Sequence, residues 1–308
     1  MVLQRVIVTG ANGVIGRALV ARLEQTGADV VTLGGRTDCN LEDPCSTNSF
    51  FEKAEPELVY HLAGAVFGVG GNTTFPGDAF RRNTLINTNV VEATRLAGAK
   101  KIVAMGSAAI YADGLPQPMQ EVDALVGEPH GSEYAYAFSK RGMLVQLESY
   151  QRQYGLDYAY VISTNLYGPH DRFNSEYGHV IPSLLTKFER AQREGGEVIV
   201  WGDGTPTRDF LYSKDAAKGL MLLMKKGDGR YNLASGVSCS IRQMADSIAA
   251  FYPEVVHRYD VTKPLGQLSR SYEVKRLQSL GFTCEYTLEK GLAETVEWVR
   301  NNYSKLRV

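Results

Sequence analysis

Short apolar runs alternate with longer stretches whose apolar residues recur at helical spacing, and the alternation repeats through the first half of the chain. Residues 6–8, 29–33, 57–63, 101–105 and 157–162 read as buried strands; residues 14–23, 78–96 and 134–154 read as helices. Strands and helices in strict alternation predict a parallel, doubly wound sheet with right-handed crossovers, whose ligands sit at the carboxyl ends of the strands. From residue 169 to 204 the pattern loosens. Gly, Pro, His and Asn accumulate there, before a helix at 181–194 and a short strand at 198–201. Residues 210–226 have a strand-like start and a helical remainder, and read as a return to the first unit.

Between the first strand and the first helix stands RVIVTGANGVIG at residues 5–16. Gly10 allows a tight turn, Gly13 lets backbone approach a pyrophosphate, and Gly16 lets the helix pack close to the strand. With Asn12, Val14 and Ile15 these glycines form the expected dinucleotide cradle, and Ala63, leading into Gly64, is expected to lie over the cofactor. The second strand ends at Gly34, Gly35 and Arg36, where an acidic residue would hold the ribose hydroxyl of NAD. Arginine there suits the 2′-phosphate, so the expected cofactor is NADP(H). Asp38 and Asn40 either meet the adenine edge or shape the turn, and Leu41 joins them at this end of the site. His61 reads as a packing residue of the third strand. The fold expected is α/β: a Rossmann-type doubly wound parallel sheet with a smaller mixed α/β lobe. The nucleotide domain covers 1–168 plus about 207–229, and the other lobe about 169–206 plus 230–308.

A chain of 308 residues suits two such units. Its formal net charge of −1 provides no global field to recruit nucleic acid or an acidic membrane, so an anionic small molecule must meet local basic residues. The start of the chain lacks the basic and apolar regions of a leader, and no apolar run reaches the roughly 18 residues of a membrane span, so a cytoplasmic protein is expected. Cys39, Cys45, Cys239 and Cys284 are scattered without a C-x-x-C pair, a spacing that argues for free thiols over zinc or a disulfide framework.

Tyr136 and Lys140 lie four residues apart on one face of a predicted helix, and Ser107 closes a predicted strand. A phenol with a pKa near 10 exchanges protons poorly at neutral pH; an adjacent ammonium favours its ionised form and draws the pKa down. The ordered set of glycine turn, Ser107, Tyr136 and Lys140 resembles the extended short-chain dehydrogenase/reductases over nearly the whole chain. Within that family the chain is similar to the GDP-L-fucose synthase group of GDP-4-keto-6-deoxy-sugar reductases. That likeness rests on NLYGPHD at 165–171, HVIPSLL at 179–185 and VWGDGTPTRDFL at 200–211.

The resemblance implies that Ser107 binds the substrate carbonyl, that Tyr136 exchanges the proton, and that Lys140 also holds the nicotinamide ribose. It implies a nucleotide-sugar site of Asn165, His179, Lys187, Trp201, Arg208 and Arg270. The three cations suit a diphosphate, and Trp201 suits a stacked base. The activity implied is NADPH-dependent C4 reduction of a GDP-linked 4-keto-6-deoxy sugar, hexose or heptose, feeding surface polysaccharide. A homodimer through the helices at 78–96 and 134–154 is implied as well. Members of the group carry a cysteine two residues after the serine, which moves protons at C3 and C5 with the histidine matching His179; here that position is Ala109. Reduction without epimerisation is therefore expected, with His179 as an accessory group. The alternatives are a bifunctional 3,5-epimerase/4-reductase in which Tyr111 or a water on His179 replaces the thiol, an NAD-dependent 4-epimerase, and a non-catalytic NADP-sensing scaffold.

Overall fold

The computed structural model describes residues 4–173, 179–263 and 268–306. In chain order the elements are β1 (Arg5–Thr9), α1 (Val14–Gln25), β2 (Asp29–Leu33), α2 (Pro44–Ala54), β3 (Leu58–His61), α3 (Gly68–Thr74), α4 (Pro76–Leu96), β4 (Lys101–Met105), α5 (Tyr134–Tyr154) and β5 (Asp157–Ser163). There follow β6 (Asn165–Tyr167), α6 (Val180–Glu194), β7 (Val198–Trp201), β8 (Thr207–Tyr212), α7 (Ser213–Lys226), β9 (Gly229–Leu233), β10 (Ser238–Ser240), α8 (Ile241–Ala249), β11 (His257–Asp260), α9 (Lys275–Ser279) and α10 (Leu288–Asn302).

Six strands form one parallel sheet in the order β2-β1-β3-β4-β5-β9. The order reverses between β1 and β3, which opens a crevice at their carboxyl ends. Apolar residues on the two faces of the sheet feed two separate cores. Val6, Val8, Val103 and Val161 pack with Leu19 of α1 and Leu220 of α7, while Ile7, Ile102 and Tyr160 pack with Phe51, Val90 and Leu144 of α2, α4 and α5. Both-sided burial explains why these strands read as continuous apolar runs.

The smaller lobe has a third core, in which Leu185 and Phe188 of α6 meet Met244 of α8 and Val296 of α10. It carries a three-stranded sheet, β10-β8-β6, and a two-stranded one, β11-β7. Sheet membership departs from the expected boundaries in three places, the first being β6, which lies within 1–168 and yet belongs to the three-stranded sheet. β9 pairs with β5 as the sixth strand of the large sheet although most of it lies beyond residue 229, and β8 pairs with β6 and β10 although it lies within 207–229. The chain re-enters the large sheet only after α7 has packed beside α1, a long-range pairing with no local signature.

Candidate active site

A cavity of about 990 Å³ lies above the β1/β3 reversal, between the large sheet and the smaller lobe. Its floor begins at the glycine turn. Gly10 has φ +70°, and a Cβ there would come within 2.8 Å of the Ala63 backbone nitrogen; a Cβ at Gly16 would come within 2.2 Å of the Gly10 carbonyl oxygen. A side chain at Gly10 would strike the Leu62–Ala63 backbone and one at Gly16 would push α1 off the turn, so both glycines keep the close packing of a dinucleotide cradle. The N-cap of α1 is Gly13, which has no side chain to cap it, and Gly13, Val14 and Ile15 line the cavity. Its first-turn N–H groups are thus left for an anion.

Thr9, at the end of β1, fastens the neighbouring loop: its hydroxyl accepts from the backbone N–H groups of Leu62 and Ala63, both at 3.1 Å. With both lone-pair directions used, that hydroxyl donates to His61 Nδ1 at 2.9 Å, and His61 Nε2 donates to Asn87 Oδ1 at 3.1 Å. His61 is fully buried, and burial, with Lys140 nearby, pulls its pKa down to about 3. It is a neutral packing residue. Asn87 passes the connection on by donating to the Ser139 carbonyl of α5 at 3.3 Å, which ties the helix carrying Tyr136 and Lys140 to the strand ends.

Ser107, Tyr136 and Lys140 all line the cavity. The Ser107 hydroxyl accepts from Ala109 N–H at 3.1 Å and hydrogen-bonds the Tyr136 phenol. Arg141, one residue beyond Lys140, fixes the serine turn to α5 by donating to the carbonyls of Ile110, Val126 and Gly127 at 2.6 to 3.0 Å. Lys140 donates to the Met105 carbonyl at 3.0 Å, and its nitrogen lies 5.9 Å from the centre of the Tyr136 ring. Burial pulls its ammonium down to about 8.

The phenol behaves otherwise than the Y-x-x-x-K spacing predicts. Burial, and then the charge of Glu133, push Tyr136 up to about 12, against which the Ser107 hydrogen bond acts. Lys140 points at a carbonyl and not at the phenolic oxygen, so desolvation wins. A tyrosine in this state holds its proton at neutral pH and is a weaker acid than a free phenol.

Asn165, His179, Arg208 and Arg270 line the same cavity. Arg208 and Arg270 are close enough for each charge to oppose the other, with Glu133 3.8 Å from Arg270 as the neighbouring carboxylate. Two cations facing one space make an anion site. Lys187 and Trp201 fall outside the cavity wall. Lys187 donates to the Ile199 carbonyl at 3.2 Å and lies 5.6 Å over the Trp201 ring, which is 55% exposed at the end of β7. Asp38 shapes the turn, accepting from Gly34 and Gly35 N–H at 2.7 and 3.0 Å, whereas Arg36, Asn40 and Leu41 line the cavity.

Ala109 is buried in the wall two residues beyond Ser107, and His179, at the start of α6, is exposed. Tyr111 is fully buried and donates to Asn232 Oδ1 at 2.6 Å, away from the cavity. Sequence reasoning missed Arg82, Asn72 and Asp171. Arg82 reads as an ordinary charge on a long helix, and Asn72 carries no motif. Asp171 lies inside the quoted NLYGPHD segment, so a signal was present. Its Oδ1 accepts from Arg172 N–H at 2.7 Å, its buried Oδ2 meets no partner among the described residues, and burial raises its pKa.

Parallel sheet, glycine cradle and a serine, tyrosine and lysine at one strand end define the extended short-chain dehydrogenase/reductase class. The model of the NAD dependent epimerase/dehydratase family matches residues 6–234, and the chain belongs to that family. It is 36% identical to GDP-L-fucose synthase of Escherichia coli, over 99% of this chain and 99% of that one, and 33% identical to GDP-L-fucose synthase 1 of Arabidopsis thaliana over 97% and 94%. A crystal structure of a GDP-L-fucose synthetase from Naegleria fowleri bound to NADP superposes with a TM-score of 0.91 at 31% identity, covering 99% of this chain and 96% of that one.

Proposed function

We propose that the protein is an NADPH-dependent C4 ketoreductase of a GDP-linked 4-keto-6-deoxy sugar that leaves C3 and C5 unchanged. The observation that carries this reading is the asymmetry of the cavity wall. Ser107, Tyr136 and Lys140 converge at one strand end, while Ala109 presents a methyl where proton removal beside the ketone needs a titratable group. The likeness to GDP-L-fucose synthases and to a structure bound to NADP supports the nucleotide sugar and the cofactor.

In this reading the large sheet holds NADPH and the smaller lobe holds the nucleotide sugar. Gly10, Gly13 and the α1 N-terminus hold the pyrophosphate, Arg36 the 2′-phosphate, and Lys140 the nicotinamide ribose. The cofactor supplies the hydride to C4. Ser107 orients the carbonyl oxygen, and Tyr136 Oη gives its proton to the developing alkoxide; Ser107 then steadies the tyrosinate. Arg208 and Arg270 receive the diphosphate, and guanine extends past the cavity to Trp201 and Lys187. Two copies pair through α4 and α5, whose outer faces expose Phe80, Leu96, Val145 and Tyr154.

The test supplies GDP-4-keto-6-deoxymannose and its heptose counterpart with NADPH in D₂O. C4 reduction with unlabelled C3 and C5, and a D-configured product, is expected. Deuterium at C3 or C5, or an L-configured product, refutes the proposal.

A further inference from the structure

The adenosine end of the cavity holds more positive charge than the end of β2 supplies. Arg36, just beyond β2, and Arg82, on α4, reach the same carboxylate oxygen: Glu42 Oε1 accepts from Arg36 Nη2 at 3.0 Å and from Arg82 Nε at 2.8 Å. The Glu42 side chain is 9% exposed, that of Arg82 33% and that of Arg36 62%. All three residues line the cavity. Arg36 spends Nε on Asn40 Oδ1 at 3.2 Å, and Arg82 lies over the Phe67 ring at 5.8 Å, on the loop that follows β3.

A structural reading is available, in which the ion pairs merely tie the 36–42 loop to α4. Arg82 alone makes that tie, since Arg36 and Glu42 both lie on the loop, and the tie leaves unexplained why Arg36 converges on the same oxygen. Guanidinium carries five N–H donors, and Arg82 commits only Nε to Glu42, so its terminal amino groups meet no acceptor among the described residues. Asp38 is turned to the Gly34 and Gly35 N–H groups, so two cations share the single carboxylate of Glu42 at the place where the Rossmann arrangement puts the adenosine ribose. A compact dianion with several acceptor oxygens satisfies both guanidiniums at once; a ribose hydroxyl satisfies neither charge.

We propose that Arg82 is the second guanidinium of the 2′-phosphate site, held beside Arg36 by Glu42, so that this end of the cavity selects a phosphomonoester on the adenosine ribose. The assignment rests on the NADPH reading above. Glu42 acts as a positioning residue: it keeps two like charges converged before ligand arrives.

Adenosine 2′,5′-bisphosphate and 5′-AMP differ only in the 2′-phosphate, and isothermal titration of the full chain with each reads that group alone. The parent protein is expected to favour the bisphosphate. Arg82→Ala should weaken bisphosphate binding roughly ten- to a hundredfold, the loss of a charge-assisted contact, and leave 5′-AMP within about twofold. Arg82→Lys, which keeps the charge, should recover part of the loss. Equal weakening of both ligands in Arg82→Ala would assign Arg82 to the adenine or to the fold, and an undiminished preference would remove it from the site; either overturns the inference while leaving NADPH in place. A parent protein without preference for the bisphosphate overturns both readings together.

Discussion

On one side of the cavity, Ser107, Tyr136 and Lys140 stand on the end of β4 and the first turns of α5, held by Arg141 on three carbonyls and by the Thr9, His61 and Asn87 chain. On the other side stand the Ala109 methyl and an exposed His179 at the start of α6. The first side has a shifted phenol, a shifted ammonium and a rigid backing. The second has His179 with no acid on the serine turn, its nearby carboxylate being the buried Asp171 just before α6. Proton transfer needs groups whose pKa values and positions are both fixed by their surroundings; on the first side a phenol and an ammonium are so placed, whereas on the second Asp171 alone has a resolved shift and the serine turn offers no thiol.

Removing the Tyr136 hydroxyl should produce the largest effect. General acid catalysis contributes roughly 10² to 10⁴ in rate, so Tyr136→Phe should lose kcat by that factor while NADPH fluorescence titration gives an unchanged Kd. Near-normal turnover would erase the difference between the two sides.

Lys140 should give the next effect, visible in pH dependence. Its pKa of about 8 lies below its ordinary 10.5, so between these values the folded, cofactor-free chain has released a proton that the unfolded chain retains. Lys140 therefore adds stability as pH rises through that window, and the cost of burying its charge is fully felt below pH 8. An anionic dinucleotide favours the ammonium, so binding above pH 8 should take up a proton and weaken by up to about tenfold per pH unit. Calorimetry at pH 8.5 in buffers of different ionisation enthalpy measures that proton, and Lys140→Met should abolish the uptake.

His179 should matter least. If it only hydrogen-bonds the sugar, His179→Ala should raise KM by about two- to tenfold and leave kcat nearly intact, in line with one hydrogen bond. A loss of kcat matching that of Tyr136→Phe would make the two sides equivalent.

The large sheet was legible because its strands are buried on both faces and its helices follow them at short range, so β1, β2, β4 and β5 lie where apolar runs place them. The smaller lobe was less so. β8 and β9 are neighbours in sequence and belong to different sheets, a choice made by packing against β6 and β5 that no local pattern records. Ser107, Tyr136, Lys140 and the glycine turn, which meet at one cavity, could be proposed from sequence for a related reason: the roles expected of them require a residue type at a fixed offset within one strand or helix.

Groups assembled from separate elements were not readable. Arg36 could be proposed from the end of β2, but Glu42 and Arg82 join it only when α4 crosses the loop, and Trp201 could be matched to a nucleotide while its distance from the cavity stayed hidden. The pairing of Tyr136 with Lys140 was in the sequence; the sign of the phenol's shift was not. Spacing along a helix fixes which side chains share a face, whereas a pKa depends on everything packed around the group, and in this fold burial outweighs an ammonium aimed at the Met105 carbonyl.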